Sequence, residues 1–210
     1  MKGLIYKEFS VFYKSVDKKL LFIAGAAIVL LICNAGAYAG LLASIMLAIT
    51  VGMQNIMCFA FDERSEWKKY QLAIPVSGFL AVSCKYISVL CTVCLSLLGS
   101  IFLNLLPLIL FRSFDVSIWG LSILSAVIVP MIWTGVCLPI TYWFGFQSAQ
   151  IMGLFVFIPT FFLIKYFEDG PGFQAMTVFP PGCAAAACLG VIVFYGISLI
   201  ISVAGYERKR

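Results

Sequence analysis

Two long stretches of this chain, residues 20–61 and 116–164, contain no Asp, Glu, Lys, Arg or His. A helix needs about 20 mainly apolar residues to cross the hydrocarbon core of a bilayer, so each stretch is long enough for two crossings. Shorter uncharged stretches at 86–111 and 177–206 provide one crossing each. We therefore predict an all-α integral membrane protein whose six transmembrane helices lie at approximately 20–38, 40–61, 86–111, 116–141, 147–165 and 181–206.

The basic residues are distributed unevenly between the two sides of these six spans. With the N-terminus inside, all but two of the 14 Lys and Arg residues fall in inner segments, and only Arg112 and Lys165 fall in outer ones. Because basic residues accumulate on the cytoplasmic side, we expect both termini to be cytoplasmic and residues 166–180 to form an extracellular loop. The net charge of +5 then reflects topology, and we expect no nucleic-acid partner.

Residues 1–19 have the pattern of an amphipathic helix. Apolar residues recur there at helical spacing, while Lys7, Lys14 and Lys18 occupy another face. Such a helix lies in the headgroup region of a membrane with its lysines towards anionic lipid. We predict an N-terminal interfacial helix at this position, and a retained first span after it.

The sequence lacks the residues of several kinds of catalytic or metal site. There is no G-x-x-x-x-G-K-[ST] pattern, so we expect no ATP site on this chain. The pair Cys91-x-x-Cys94 lies within a span, has no second pair and has no His to join it, whereas structural zinc takes four ligands. We expect no metal, no cofactor and no catalytic residue on this chain.

The predicted spans also lack the charged residues that ion coupling requires. Proton-coupled transporters and pumps typically place Asp, Glu or His within the membrane, and none of these lies in the six spans. The polar side chains there include Gln54, Asn55 and Asn104. Adjacent amides in a membrane usually bridge helices, and lining a substrate path is the alternative role for these three residues. Work done by this protein has to be powered from outside the bilayer.

The cytoplasmic segment 62–80, between the second and third spans, is where such power could enter. Six charged residues of both signs fall between Asp62 and Lys69. Aromatic and aliphatic groups are interleaved with and follow these charges, namely Trp67, Tyr70, Leu72 and Ile74. Pro75 then interrupts the chain, and Ser77 is suited to cap a helix that continues into the third span. We predict a short helix, a turn and an entering helix, a shape suited to docking into a partner protein; an ordinary solvated loop is the alternative.

The stretch "FDERSEWKKYQLAIPVSGFLAVSCKY" at 61–86 resembles the signature of a bacterial ABC exporter permease family of the type-2 class. The residues that match its pattern position by position are Asp62, Glu63, Arg64, Ser65, Trp67, Lys69, Tyr70, Pro75, Val76, Ser77, Lys85 and Tyr86. The opening "MKGLIYKEF" and the stretch "LPITYWFG" at 138–145 resemble other parts of the same family. The sequence departs from the pattern after Ser77, where Gly-Phe-Leu replaces charged residues, and after Gly145, where "FQSAQ" replaces a charged loop.

This resemblance implies a transmembrane subunit of an ATP-driven exporter in the bacterial cytoplasmic membrane. Two permease chains, as a homodimer or with a sibling, would bind two separate ATPase subunits that carry ATP and Mg²⁺. The residues that would couple the ATPases to the spans are Asp62, Glu63, Trp67, Tyr70, Pro75, Ser77 and Lys85. Family substrates are amphipathic or antimicrobial peptides or other hydrophobic compounds, and nothing in this sequence selects among them.

Two other functions compete with this interpretation. A membrane scaffold or sensor that binds a cytoplasmic partner without moving substrate would fit the absence of an obvious polar path. An ion-coupled secondary transporter is the other alternative, and the uncharged spans argue against it.

Overall fold

The computed structural model of the chain describes residues 2–15, 22, 25–30, 39–64, 67, 77–111, 116–149, 151 and 181–208. Five helices make up most of this part: α1 (Lys2–Ser15), α2 (Ala39–Arg64), α3 (Gly78–Phe111), α4 (Val116–Phe144) and α5 (Pro181–Arg208). Residues 25–30 and 146–149 are helical as well, and no strand occurs among the residues described. This part of the chain agrees with the predicted all-α class.

Four of the helices are long and apolar enough to cross a membrane. Their candidate spans are Ala39–Asp62, Gly78–Leu106, Ile118–Phe144 and Ala185–Arg208. They correspond to the predicted spans 40–61, 86–111, 116–141 and 181–206. The predicted spans 20–38 and 147–165, the loop 166–180 and most of the segment 62–80 lie outside the described residues, so the count of six remains a prediction.

The helix that follows the charged segment begins at the predicted cap. The backbone N–H of Leu80 donates a hydrogen bond to Ser77 Oγ over 3.3 Å, and that of Ala81 donates to the Ser77 carbonyl over 3.1 Å. A serine hydroxyl at this position satisfies one of the N–H groups that the first turn of a helix leaves unpaired. The prediction that Ser77 caps a helix running through Lys85 is confirmed.

Helix α4 ends in a glycine cap. Gly145 has φ of 96°, and its N–H donates to the Thr141 carbonyl over 2.9 Å. Only glycine adopts this left-handed conformation without steric cost. The cap turns the chain directly into the helical stretch 146–149.

The core lies between α2, α3, α4 and α5. Its most enclosed side chains include Val82, Tyr86 and Val89 of α3 and Cys137 and Leu138 of α4. Large apolar side chains instead point outward from α3 and α5, as expected for helix faces that meet lipid. Examples are Leu98, Phe102, Ile192 and Ile200.

Pro139 within α4 is compensated by a side chain of α5. A proline has no N–H, so the carbonyl four residues earlier, that of Gly135, loses its helical donor. Ser198 Oγ of α5 donates to this carbonyl over 2.6 Å. Because Ser198 has one hydrogen to donate, the Tyr86 hydroxyl must donate to Ser198 Oγ (2.7 Å) and accept from Ser202 (2.7 Å). This relay joins α3, α4 and α5.

Candidate functional site

Three of the seven predicted coupling residues meet at the end of α2 and the beginning of α3. Asp62 lies in the last turn of α2, Lys85 lies in the second turn of α3, and Trp67 belongs to the segment between them. Ser77, a fourth predicted coupling residue, caps the beginning of α3. The side chain of Glu63 and the whole of Tyr70 and Pro75 lie outside the described residues.

Lys85 is the centre of this site. Its Nζ lies 2.7 Å from Asp62 Oδ2 and 2.7 Å from Glu8 Oε2 of α1, and its side chain is only 6% exposed. The ammonium also lies 4.2 Å from the centre of the Phe59 ring, within the range of a cation–π contact. One lysine of α3 therefore binds a carboxylate from each of two other helices.

Lys7 of α1 completes the arrangement. Its Nζ lies 3.0 Å from Glu8 Oε1, forms an ion pair with Asp62 Oδ1, and lies 4.8 Å from the centre of the Trp67 ring. The four side chains Lys7, Glu8, Asp62 and Lys85 thus form a closed circuit of alternating charge, which we call the charge ring. Its two acids and two lysines cancel, so the ring holds α1, α2 and α3 together without attracting a counter-ion.

The charge ring is costly to open. Removing one member of a buried, hydrogen-bonded ion pair leaves the other charge desolvated and unpaired, which costs about 3–5 kcal/mol. The contact of Lys7 with Trp67 ties the segment 62–77 to α1. The arrangement has no group for covalent chemistry, and what it can do is transmit or resist a movement of three helix ends.

Helix α1 lies along the last turns of α2. Lys7 pairs with Asp62 at one end, while at the other Ser15 Oγ accepts a hydrogen bond from Gln54 Nε2 over 2.6 Å and lies 3.8 Å from Cys58 Sγ. Ascending numbers on α1 meet descending numbers on α2, so the helices run antiparallel for about 12 Å at 1.5 Å per residue.

The interfacial position predicted for residues 1–19 stays a prediction, but the partner of Lys7 differs from the one expected. Lys7 faces Asp62 and Trp67, where anionic lipid was expected, because carboxylates on α1 and α2 offer closer partners. The outward face of α1 carries Tyr6 and Tyr13, which are 77% and 83% exposed. The periodicity identified an amphipathic helix, but it assigned one of its lysines to the wrong partner.

A small cavity remains beside the charge ring, between α1 and the groove formed by α2 and α3. It has a volume of about 10 Å³, roughly the space of one water molecule. The residues around it are Glu8, Phe9, Phe12, Asn55, Cys58, Lys85, Ser88, Val89 and Thr92. The lining combines polar side chains with the rings of Phe9 and Phe12, so α1 meets the groove through both polar and apolar contacts.

Gln54 and Asn55, predicted as helix bridges or as a substrate path, both bridge helices here. Gln54 reaches Ser15 of α1, and Asn55 Nδ2 donates to Thr92 Oγ1 of α3 over 2.8 Å. Both amides border the groove in which α1 lies. A role in a substrate path stays a prediction for them.

Asn104 belongs to a separate polar cluster with three serines. Its Nδ2 donates to the Ser100 carbonyl over 2.8 Å and contacts Ser44 and Ser122, while Ser122 Oγ donates to Ser44 Oγ over 2.7 Å. All four are buried between α2, α3 and α4. Gly40, which has no side chain, lets α2 approach Asn104 of α3 closely. The contacts bridge helices; the predicted path role of Asn104 is not tested by them.

Glu8 was not among the residues predicted from the sequence, and Lys7 was predicted only as a lipid-facing residue. A signal was present in the isolation of the charges. Glu8 is the only acid within α1, and Lys85 is the only charged residue of α3. A single acid and a single lysine on otherwise apolar or basic helices are candidates for pairing, because burial without a partner is costly.

No group of three or more potential metal ligands occurs among the residues described. Cys91 and Cys94 are both exposed on the outer surface of α3.

Comparison with known families gives a match along almost the entire chain. Residues 3–207 match the model of the family described as ABC-2 family transporter protein. No curated protein and no solved structure matches.

Proposed function

The chain belongs to the ABC-2 family of transporter proteins, and from that premise we propose that it is the transmembrane subunit of an exporter driven by separate ATPase subunits. As a member of this family it is a membrane transport subunit and not itself an enzyme. The family match over residues 3–207 is the observation that carries the proposal. The outward direction of transport, the amphipathic or hydrophobic substrate and the ATPase partner are what we add to it.

The coupling segment 62–77 is the proposed contact with the ATPase. It leaves α2 at Asp62 and enters α3 at Ser77, and a force on it acts directly on both helices. Lys85 and Asp62 pair over 2.7 Å at its base, which supports the transmission of movement as a rigid body. Glu63, Trp67, Tyr70 and Pro75 supply the proposed docking surface.

The remaining parts of the proposal concern assembly and topology. Two permease chains, identical or sibling, bind two ATPases that carry ATP and Mg²⁺, in the bacterial cytoplasmic membrane. Both termini and the segment 62–77 face the cytoplasm, in keeping with the distribution of basic residues. Six spans place the N- and C-termini on the same side.

The experiment that tests the proposal is affinity capture of the tagged chain from its native membrane in mild detergent. We expect an ATP-binding cassette protein to co-purify, and vesicles containing the complex to show ATP-dependent flux of an amphipathic peptide. Capture without any ATPase, under conditions that preserve other transporter complexes, would favour a scaffold or sensor instead. Flux that a proton uncoupler abolishes and that survives loss of the ATPase would favour an ion-coupled transporter.

Two substitutions locate the coupling segment within that experiment. Tyr70→Ala and Pro75→Ala are expected to abolish ATP-dependent flux while expression and membrane insertion stay near normal. Phe102→Ala is a matched control, because Phe102 lies outside the segment and is exposed on the outer face of α3. Wild-type flux in either variant would remove that residue from the coupling role.

A further inference from the structure

The groove between the first half of α3 and the last turns of α2 is occupied by α1. The α2 wall offers Gln54, Asn55 and Cys58, and the α3 wall offers Lys85 and Thr92. From α1, Glu8 forms an ion pair with Lys85 and Ser15 accepts a hydrogen bond from Gln54. The rings of Phe9 and Phe12 also line the groove. The groove therefore already binds one amphipathic helix that carries an acid.

α1 is attached to the bundle without being part of its core. Glu8 is the only buried side chain among those described in α1, and the hydrophobic core cluster takes its members from α2 to α5 and Phe146. Departure of α1 would leave the contacts among α2, α3, α4 and α5 intact. A cavity of about 10 Å³, the space of one water molecule, remains between α1 and the walls of the groove.

The charges of the groove and of α1 are complementary. Lys7 and Glu8 are adjacent on α1, and they face Asp62 and Lys85 respectively. With α1 absent, Asp62 and Lys85 would still pair with each other over 2.7 Å, so the empty groove is neutral and keeps a carboxylate and an ammonium at its mouth. A helix with a basic residue next to an acidic one can restore the ring.

We propose that this groove is an entry site for an amphipathic helical peptide with adjacent basic and acidic residues, and that α1 occupies it until such a peptide displaces it. The role of the groove as an entry site rests on the proposed export function, whereas the binding of the peptide does not. Gln54 and Asn55 then line the site with α1 removed. The ligand class follows from the helix that the groove already holds.

A disulfide that fixes α1 in the groove tests the displacement. Ser15→Cys places a thiol beside the native Cys58, because the present Ser15 Oγ lies 3.8 Å from Cys58 Sγ. In vesicles with the ATPase present, oxidation is expected to reduce peptide flux by at least about tenfold, and reductant is expected to restore it. The same variant with Cys58→Ser cannot form the bond and is expected to ignore the oxidant.

The outcomes separate the inference from the function on which it rests. ATP-dependent flux that is unchanged in the oxidised protein overturns the displacement while leaving the exporter in place. Absence of flux in both redox states contradicts the exporter function. Failure of the disulfide to form in the bilayer, judged by intact mass, overturns the position of α1 in the groove.

Direct binding tests the ligand class independently of transport. The probe is a fluorescent synthetic peptide with the sequence of residues 2–15, measured against the full chain in lipid nanodiscs. The same peptide with Glu8→Gln is expected to bind about tenfold more weakly, a difference of about 1.4 kcal/mol. Glu8→Gln in the protein, which loosens its own α1, is expected to bind the unchanged peptide more tightly. A scrambled peptide that binds as well as the native order would show partitioning into lipid and would overturn the site.

Discussion

The carboxylate of Glu8 lies 2.7 Å from the ammonium of Lys85, so an acid near the start of the chain is paired with the only charge of α3. Asp62 holds the same ammonium from α2. The base of the segment 62–77 is therefore fixed from two sides, by α2 and by α1.

Lys85→Met is expected to destabilise the bundle because it leaves Glu8 and Asp62 with one cation between them. The expected loss is about 3 kcal/mol in the free energy of unfolding, at the low end for breaking a buried pair because Lys7 remains. Unfolding in mixed detergent–SDS micelles measures it. Lys14→Met, on the exposed part of α1, is the control and is expected to change the free energy by less than about 0.5 kcal/mol. Equal stability of the two variants would contradict an energetic role for the ring.

Replacing the whole ring tests whether its value lies in stability or in position. Apolar replacements of entire buried ion-pair groups are often neutral or stabilising. The variant with Lys7→Met, Glu8→Leu, Asp62→Leu and Lys85→Met is therefore expected to unfold at about the wild-type free energy. A loss as large as that of Lys85→Met alone would show that the charges themselves are needed for folding.

Ser198→Ala is expected to expose the defect that Pro139 makes in α4. The Gly135 carbonyl loses its donor, and an unsatisfied buried acceptor costs about 1–3 kcal/mol. Ser202→Ala is the matched control, since its only described partner is the Tyr86 hydroxyl. Pro139→Ala returns a backbone N–H to Gly135, so in that background Ser198→Ala is expected to cost less. An equal cost in both backgrounds would contradict the pairing of serine and proline.

Gly40→Ala is expected to disturb the serine cluster around Asn104. A Cβ at residue 40 would overlap Asn104 Oδ1 and lie only 3.3 Å from the Asn104 Cα, and such overpacking costs about 1–3 kcal/mol. Gly120→Ala, where nothing lies within 4 Å, is the control. Asn104→Ser makes room for the new methyl group and is expected to recover part of the stability. No recovery would mean that the backbone contact, and not the amide, sets the limit.

Gly145→Ala is expected to weaken the end of α4 by about 1–2 kcal/mol, because an L side chain is strained at a φ of 96°. Gly145→Asn is expected to cost less, since asparagine tolerates this conformation better than alanine. Unfolding free energies of the two variants provide the comparison. Equal costs would mean that the cap does not limit stability.

The long helices could be predicted from the sequence because bilayer thickness and uncharged length leave few alternatives. The cap at Ser77 was also predictable from a local hydroxyl after a proline. The helix that leads into the predicted third span, 86–111, includes Lys85, and the sequence alone does not show which groups neutralise that charge. In the structure Glu8 and Asp62 neutralise Lys85, so the helix continues across it from Gly78.

The charge ring itself could not be derived from local pattern. Periodicity shows that α1 has a polar face, but it does not show what that face meets. The partners of α1 lie on α2 and α3, and pairing over such distances depends on how the helices pack. A charge reversal at Asp62 or Glu63 is expected to weaken binding of the ATPase to the proposed docking surface. Asp62 pairs within the chain, so Glu63 is the cleaner position for that test.

The ion pair between Lys7 and Asp62 spans 55 residues of sequence, and this has a consequence during biosynthesis. At roughly 5–20 residues per second, the ribosome adds Asp62 several seconds after Lys7, and Lys85 later still. α1 must therefore wait, exposed at the membrane surface or held by a chaperone, until both later helices have been made. α1 is synthesised before α2 and α3, yet it reaches its final place only after they have been made.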